Sequence, residues 1–343
     1  MIAARVQRTI DARGLVPEGA TVLVGCSGGP DSAALLHVLS VIGPPRGWSL
    51  HAASVDHGLR DDAAEDVEVA RRQATRAGVP FNALRVSVVG GGSVQAKARD
   101  ARYAALSAEA VRVGASRVAV GHTRDDQAET VLARMLRGSG LRGMSGVAPG
   151  REDGVIRPLI DCRRLEVHAY ARAQGLETCR DPSNKDPRFE RVRLRALLPL
   201  LEVESPRLVD HLADLADECR ETAGWIAQRA DEVGLGAARE LERSRLEGIA
   251  GPVRKAALAG WVLALTGVPA RRAHIESLEH ALRVERGHVL LGGGWEVTCG
   301  PRWRARRSSS PAGRSASTDA SAIPENGGGA LLVDETRRPD VDE

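Results

Sequence analysis

The residues best suited to chemistry form the run Gly25-Cys26-Ser27-Gly28-Gly29-Pro30-Asp31-Ser32, which follows a β-branched stretch and opens an amphipathic one. Small residues let a backbone approach a phosphate closely, and consecutive N–H groups at a helix start form a concavity that binds anions. Ser27, Gly28, Gly29, Pro30, Asp31 and Ser32 are therefore candidates for cradling a phosphate. Asp31 and Ser32 could equally cap the helix. A Walker A loop would require GxxxxGK[ST] and a dinucleotide turn GxGxxG. This stretch supplies neither, and no lysine lies near it.

A second constellation is Gly121-His122-Thr123-Arg124-Asp125-Asp126-Gln127-Ala128-Glu129-Thr130, continuing to Arg137-Gly138-Ser139-Gly140. On a helix, residues three and four apart share a face, so Asp126 and Asp125 each line up with Glu129. Carboxylates grouped on the first turns can hold Mg²⁺ or an ammonium group. The competing reading is a solvated helix whose acidic start suits its dipole. Sequence alone divides evenly between the two until the first motif is placed beside them.

The elements that must position these residues follow from periodicity. Short apolar runs at 21–24, 50–55, 81–88 and 117–120 alternate with helical spacing over 62–77, 94–113 and 125–136. Such alternation predicts an α/β fold, a doubly wound parallel sheet with helices on both faces, in which ligands bind at the carboxyl ends of strands. Ser27, Asp56 and His122 each fall just after an expected strand, and Asp56, His57, Gly121 and His122 join the ligand-site candidates. Beyond Pro206 the segments 208–233, 237–248 and 251–266 read as helices. The expected organisation is a catalytic domain over 1–205, a smaller mainly helical domain over 206–306 closed by a short β element near 295–304, and a disordered tail over 307–343.

Composition sets the outer bounds. The chain has 343 residues, 43% hydrophobic and 27% charged, as expected of a globular protein. No apolar run reaches the roughly 20 residues that span a bilayer, and residues 1–21 lack a signal-peptide core, so the expected compartment is the cytoplasm without membrane attachment. Cys26, Cys162, Cys179, Cys219 and Cys299 show no CxxC pair or zinc spacing and read as reduced structural thiols, Cys26 being the one that touches a motif. The net charge of +3 makes no case for nucleic acid, although 45 of the 48 basic residues are Arg. His168, His211, His274 and His280 read as surface or core histidines. Trp225, Trp261 and Trp295 read as packing in the small domain, with stacking on an RNA base as the alternative.

The glycine-rich run resembles the SGGxDS loop of the ATP-pyrophosphatase superfamily. The run 121–143 resembles the GHxxDDQxET…RGSGxxGL signature of the tRNA(Ile)-lysidine synthetase family, with Met144 where that family usually has Leu. Val55-Asp56-His57-Gly58-Leu59, Ala98-Arg99-Asp100-Ala101-Arg102-Tyr103, Arg157-Pro158-Leu159 and Asp181-Pro182-Ser183-Asn184 with Arg191-Val192-Arg193-Leu194-Arg195 resemble further family segments, in order. Val192 stands where the family commonly has Asn. The match covers about 22–199, whereas the second domain matches only in size and position.

This resemblance implies ATP and Mg²⁺ as cofactors, and L-lysine and an isoleucine tRNA with a CAU anticodon as partners. It implies a two-step reaction that adenylates the wobble cytidine and then displaces AMP with lysine to form lysidine. On the matched residues, Asp31, Asp126, Glu129, Arg102 and Arg195 are the expected catalytic group, with Asp31 also helping to hold Mg²⁺. Asp126 and Glu129 would face the lysine ammonium, and Arg102 (with Arg99 as runner-up) and Arg195 would face a phosphate or the lysine carboxylate. A thiolating enzyme of the same superfamily, a small-molecule amidating ligase and a non-catalytic RNA-binding module with a relic nucleotide site stay open as alternatives. The absence of CxxC weighs against the first. Oligomeric state is open, a homodimer included.

Overall fold

The structure is a computed structural model that describes residues 2–56, 63–86, 94–179, 186 and 188–308. His57, the 181–184 segment and nearly all of the expected tail lie outside the described residues. The chain divides into two compact units, with the boundary after Val233.

In the first unit, strands β1 (Thr21–Gly25), β2 (Ser49–Asp56), β3 (Phe81–Arg85), β4 (Arg117–Ala119) and β5 (Val155–Ile156) form one sheet in the order β3-β2-β1-β4-β5, all parallel. Helices α1 (Ile2–Ala12), α2 (Pro30–Ile42), α3 (Ala63–Arg76), α4 (Val94–Arg112) and α5 (Arg124–Leu136) alternate with the strands, followed by the short α6 (Leu141–Met144) and by α7 (Arg164–Ala173) and α8 (Glu190–Glu204). Parallel strands buried on both faces read as continuous apolar runs, and Val22, Leu23 and Val24 of β1 are all fully buried. Even so, they face different cores: Val22 and Val24 pack with α2 residues such as Leu35 and Leu39, while Leu23 packs with Tyr103 and Leu106 of α4.

Helix α9 (Leu208–Val233), read from sequence as the start of the second domain, packs instead within the first unit. Its Val209, Leu212 and Ala216 share a core with Ala128, Val131 and Leu132 of α5 and with Leu194 and Leu198 of α8. Trp225 on this helix is exposed, so it is not a packing residue of the small domain.

The second unit holds more strand than the short β element expected. Strands β6 (Glu240–Glu242), β7 (Gly287–Leu291), β8 (Trp295–Cys299) and β9 (Arg302–Arg307) form an antiparallel sheet in the order β6-β9-β8-β7. It accompanies helices α10 (Gly251–Thr266) and α11 (Arg272–Arg283). The helix expected over 237–248 is replaced by β6 and a tight turn over Arg243–Leu246. Period-two burial explains the strand, because Leu241 is buried between exposed Glu240 and Glu242 and pairs with buried Trp303. Trp261 and Trp295 are buried here, as expected.

Candidate active site

The glycine-rich loop leaves the end of β1, and Pro30 occupies the first turn of α2 with Gly29 as its N-cap. Proline is favoured there because its missing N–H would be unpaired anyway. The Ser32 hydroxyl accepts from the Ser27 N–H (3.1 Å) and donates to the Gly29 carbonyl (3.0 Å). Ser32 thus braces the loop from within, while the first-turn N–H groups carry the anion-binding character. Cys26 is structural: burial pushes its thiol up to about 12, and its sulfur contacts the Val24 carbonyl.

Gly28 has φ +76°, and its carbonyl accepts from Gln73 Nε2 and from the Cys179 N–H, both at 3.0 Å. A Cβ on Gly28 would meet Cys179 Sγ at 2.7 Å and the Asp66 carbonyl at 2.8 Å. Gly28→Ala is therefore expected to displace the loop at a cost of about 1–3 kcal/mol, read as a raised KM for ATP. A variant with unchanged KM would show that this backbone geometry is not needed.

At the end of β4, Gly121 passes so close to α2 that a Cβ there would lie 3.1 Å from the Asp31 carbonyl carbon and the Ser32 nitrogen. This contact brings the two sequence motifs together. His122 follows, and burial first, with Arg157, Arg191 and Arg99 adding to it, pulls its pKa down to about 3 against the opposing pull of Asp126, so the imidazole is neutral at physiological pH. Asp56 ends β2 and faces Arg85 at 3.5 Å.

Helix α5 opens with a capping box in which Asp126 Oδ2 accepts from the Thr123 N–H (2.7 Å) and hydroxyl (2.8 Å). Its other oxygen accepts from Arg164 (2.7 Å) and Arg191 (2.5 Å). Glu129 accepts from Arg164 (2.8 Å), Arg191 (2.7 Å) and Arg195 (2.9 Å). Both carboxylates are buried. Burial alone would raise their pKa values, but Arg164 and Arg191, with Arg195 on Glu129, outweigh it and hold both groups below the usual carboxylate range. Asp125 does not join them; it accepts from the Arg164 N–H (2.7 Å) at the start of α7.

Sequence reasoning gave no role to three residues that this geometry singles out. Arg164 and His168 lie four apart on α7, hence on one face. Arg164 reaches Asp126 and Glu129, and His168 Nε2 lies 3.2 Å from Asp31 Oδ1, with both atoms buried and neither hydrogen-bonded elsewhere among the described residues. Arg191 is the third. The available signal was the spacing of Arg164 and His168 just after Arg157-Pro158-Leu159. Arg195 sits in the cluster as expected, and Arg102 borders it: burial, Arg99 and Arg191 lower its pKa, and its guanidinium lies over the Tyr103 ring.

Residues 2–201 match the PP-loop domain family. The chain is 38% identical to a tRNA(Ile)-lysidine synthase of Thermobifida fusca, over 81% of this chain and 89% of that one. It is 40% identical to one of Mycolicibacterium paratuberculosis, over 79% and 83% of the two chains. It is 41% identical to one of Symbiobacterium thermophilum, over 66% of this chain but only 49% of that longer protein. Among solved structures, the U34-tRNA thiolase NcsA of Methanococcus maripaludis with its [4Fe-4S] cluster shares the fold, with a TM-score of 0.56 at 17% identity over 64% of this chain and 78% of that one. No helix among the described residues is long and apolar enough to cross a membrane.

Proposed function

Because this chain belongs to the tRNA(Ile)-lysidine synthase family, we propose that it joins L-lysine to carbon 2 of the wobble cytidine of an isoleucine tRNA with a CAU anticodon, using ATP. The observation that carries this reading is the apposition, through α7 and Gly121, of an anion-binding loop and a buried carboxylate pair.

In the first step the cytidine carbonyl oxygen attacks the α-phosphorus of ATP; the new O–P bond forms as the bond to the bridging oxygen breaks and pyrophosphate leaves. Backbone N–H groups of Gly28 and Gly29 and the α2 N-terminus hold the polyphosphate against its charge. In the second step the lysine amine attacks carbon 2, the C–N bond forms, and AMP departs with the former carbonyl oxygen. The proton lost by the amine passes to Glu129 or Asp126 or on to water.

For an ammonium to reach Glu129, one of its three guanidiniums must turn aside. Arg191 and Arg195 of α8, with side chains 46% and 34% exposed, can do so more readily than Arg164 at 16%. A displaced Arg195 would be free to meet a phosphate or the lysine carboxylate. Arg102, Asp56 and His122 border the nucleoside side.

Mg²⁺ fits as a partner of ATP rather than as a resident ion. Among the described residues no group of three His, Cys, Asp or Glu could hold a metal, whereas Asp31 Oδ1 is buried without a hydrogen bond. Mg²⁺ commonly takes one carboxylate together with substrate phosphates, and it would offset charge on the departing pyrophosphate.

The described part of the second unit is basic: residues 234–308 carry 13 Lys or Arg against seven Asp or Glu, whereas residues 309–343 carry three against seven. We assign it the grip on the tRNA backbone, within a domain plan that places catalysis before Val233. Binding of tRNA to the full chain is expected to weaken linearly on a log–log plot against salt with a slope steeper than about −3; a slope near zero would contradict a phosphate-based grip. Function itself is tested by incubating the protein with ATP, labelled lysine and the CAU isoleucine tRNA. Lysine joined to the RNA is expected. AMP release that needs sulfide instead of lysine would favour the thiolating alternative.

A further inference from the structure

We propose that the first unit carries a phosphate track for RNA, running from the catalytic guanidiniums across Tyr103 to a separate four-arginine cleft. The cleft has a volume of about 410 Å³ and is lined by Arg13, Arg117, Arg151 and Arg220, with Glu152 exposed beside them. It includes Arg117 at the start of β4, the strand end opposite Gly121 and His122, so it is distinct from the nucleotide loop.

Three observations point to a ligand of repeated negative charge. First, each of the four guanidiniums keeps a donor outside any hydrogen bond among the described residues. Arg13 engages Asp161 and Asp217 through Nε and Nη2, leaving Nη1. Arg220 uses Nη1 and Nη2 on Asp217 and the Ser145 and Val147 carbonyls, leaving Nε. Second, among the described residues Arg117 donates to the carbonyls of Leu15 and Ser116 and forms no ion pair. Among the described residues the one carboxylate that Arg151 pairs with is Asp153, at the surface.

Third, the cleft connects to the active site through arginine. Arg151 lies 5.4 Å from the Tyr103 ring centroid, and Arg99 and Arg102 lie over the same ring at 5.1 and 5.7 Å. Arg102 in turn lies within the field of Arg191. Tyr103 is 9% exposed, so its ring organises guanidiniums and does not offer a base a stacking face. A row of guanidiniums without a stacking platform suits a sugar–phosphate backbone read by charge, not by sequence. The track thereby rests on the tRNA substrate proposed above and adds where its backbone runs.

Arg117→Gln and Arg151→Gln test it, because neither residue holds a buried carboxylate and both variants should fold. In the full chain each is expected to weaken tRNA binding about tenfold at low salt and to flatten the log–log salt slope by about 1, with the KM for ATP unchanged. Calorimetric titration with inorganic pyrophosphate separates the sources: variants that lose a pyrophosphate site yet bind tRNA like the wild type would overturn the RNA assignment in favour of a free phosphate. If the wild type binds tRNA and both variants match it in affinity and slope, the track is refuted. Should the wild type itself not bind tRNA, the failure lies with the functional reading beneath it.

Discussion

Glu129→Ala is expected to destabilise the first unit by about 3 kcal/mol and to lower its melting temperature by roughly 6–12 °C. The side chain is 1% exposed and faces three guanidiniums, so its removal leaves buried positive charge uncompensated. Partial exposure of Arg191 and Arg195 places the loss at the lower end of the 3–5 kcal/mol typical of a broken buried pair. Glu129→Gln keeps the shape and some of the acceptors, so its stability loss should be smaller. Its lysine-dependent step should still slow by about 10²–10⁴-fold, because the amide carries no charge to hold the lysine ammonium and cannot share in taking its proton. Thermal unfolding and single-turnover transfer check both; a Glu129→Ala protein as stable as the wild type would mean that the arginines find other partners.

The same pairing sets a direction for pH dependence. Asp126 and Glu129 have folded pKa values below their unfolded ones, so their contribution is fully present above about pH 4.5 and is lost as pH falls through the folded values. His122 acts in the same direction. Its folded pKa of about 3 lies below the ordinary 6.5, so acidification from about 6.5 towards 3 favours the unfolded chain, which can accept the proton. Stability should therefore fall on the acid side, beginning near pH 6.5 and steepening below 4.5. His122→Gln should remove the upper part of that decline.

Asp31→Ala is expected to reduce tRNA-dependent exchange of labelled pyrophosphate into ATP by about 10²–10³-fold, the loss typical when one group that steadies developing charge is removed. Its side chain is 30% exposed, with His168 3.2 Å away and Arg164 within its field but held by other carboxylates, so the fold should lose little beyond the helix-start contribution of about 0.3–1 kcal/mol. Exchange at the wild-type rate would remove Asp31 from the phosphate site. His168→Ala should give a milder loss confined to the exchange step, since it leaves the carboxylate in place but unsteadied. Partial rescue by His168→Gln would mark a positioning role.

The parts of this molecule legible in sequence are those where local pattern and tertiary role agree. Val22 to Val24 read as a strand because both faces of that strand are buried, and Gly28 and Gly29 stood out because close phosphate approach needs small residues. Helical spacing puts Asp126 and Glu129 on one face, where the same arginines meet them, but it also adds Asp125, which turns instead to the Arg164 N–H. Their guanidinium partners come from 35 to 66 residues away, a distance that no periodicity encodes. The 237–248 segment misled for a different reason. Glu240, Leu241 and Glu242 suit a helix by intrinsic preference, and the buried slot beside Trp303 overrides it. Helix α9 was found with correct limits yet assigned to the wrong neighbour, because an amphipathic face does not name the core it covers.

Helix α7 presents Arg164 to the carboxylate pair and His168 to Asp31 on successive turns of one rod. Four residues of helix rise span about 6 Å, so the offset between the phosphate-loop carboxylate Asp31 and the Asp126–Glu129 pair is ruled by helical pitch and not by a loop. The two centres are consequently geared together. One extra residue between Arg164 and His168 would swing one contact about 100° away from the other, parting the two clusters while leaving each set of groups intact.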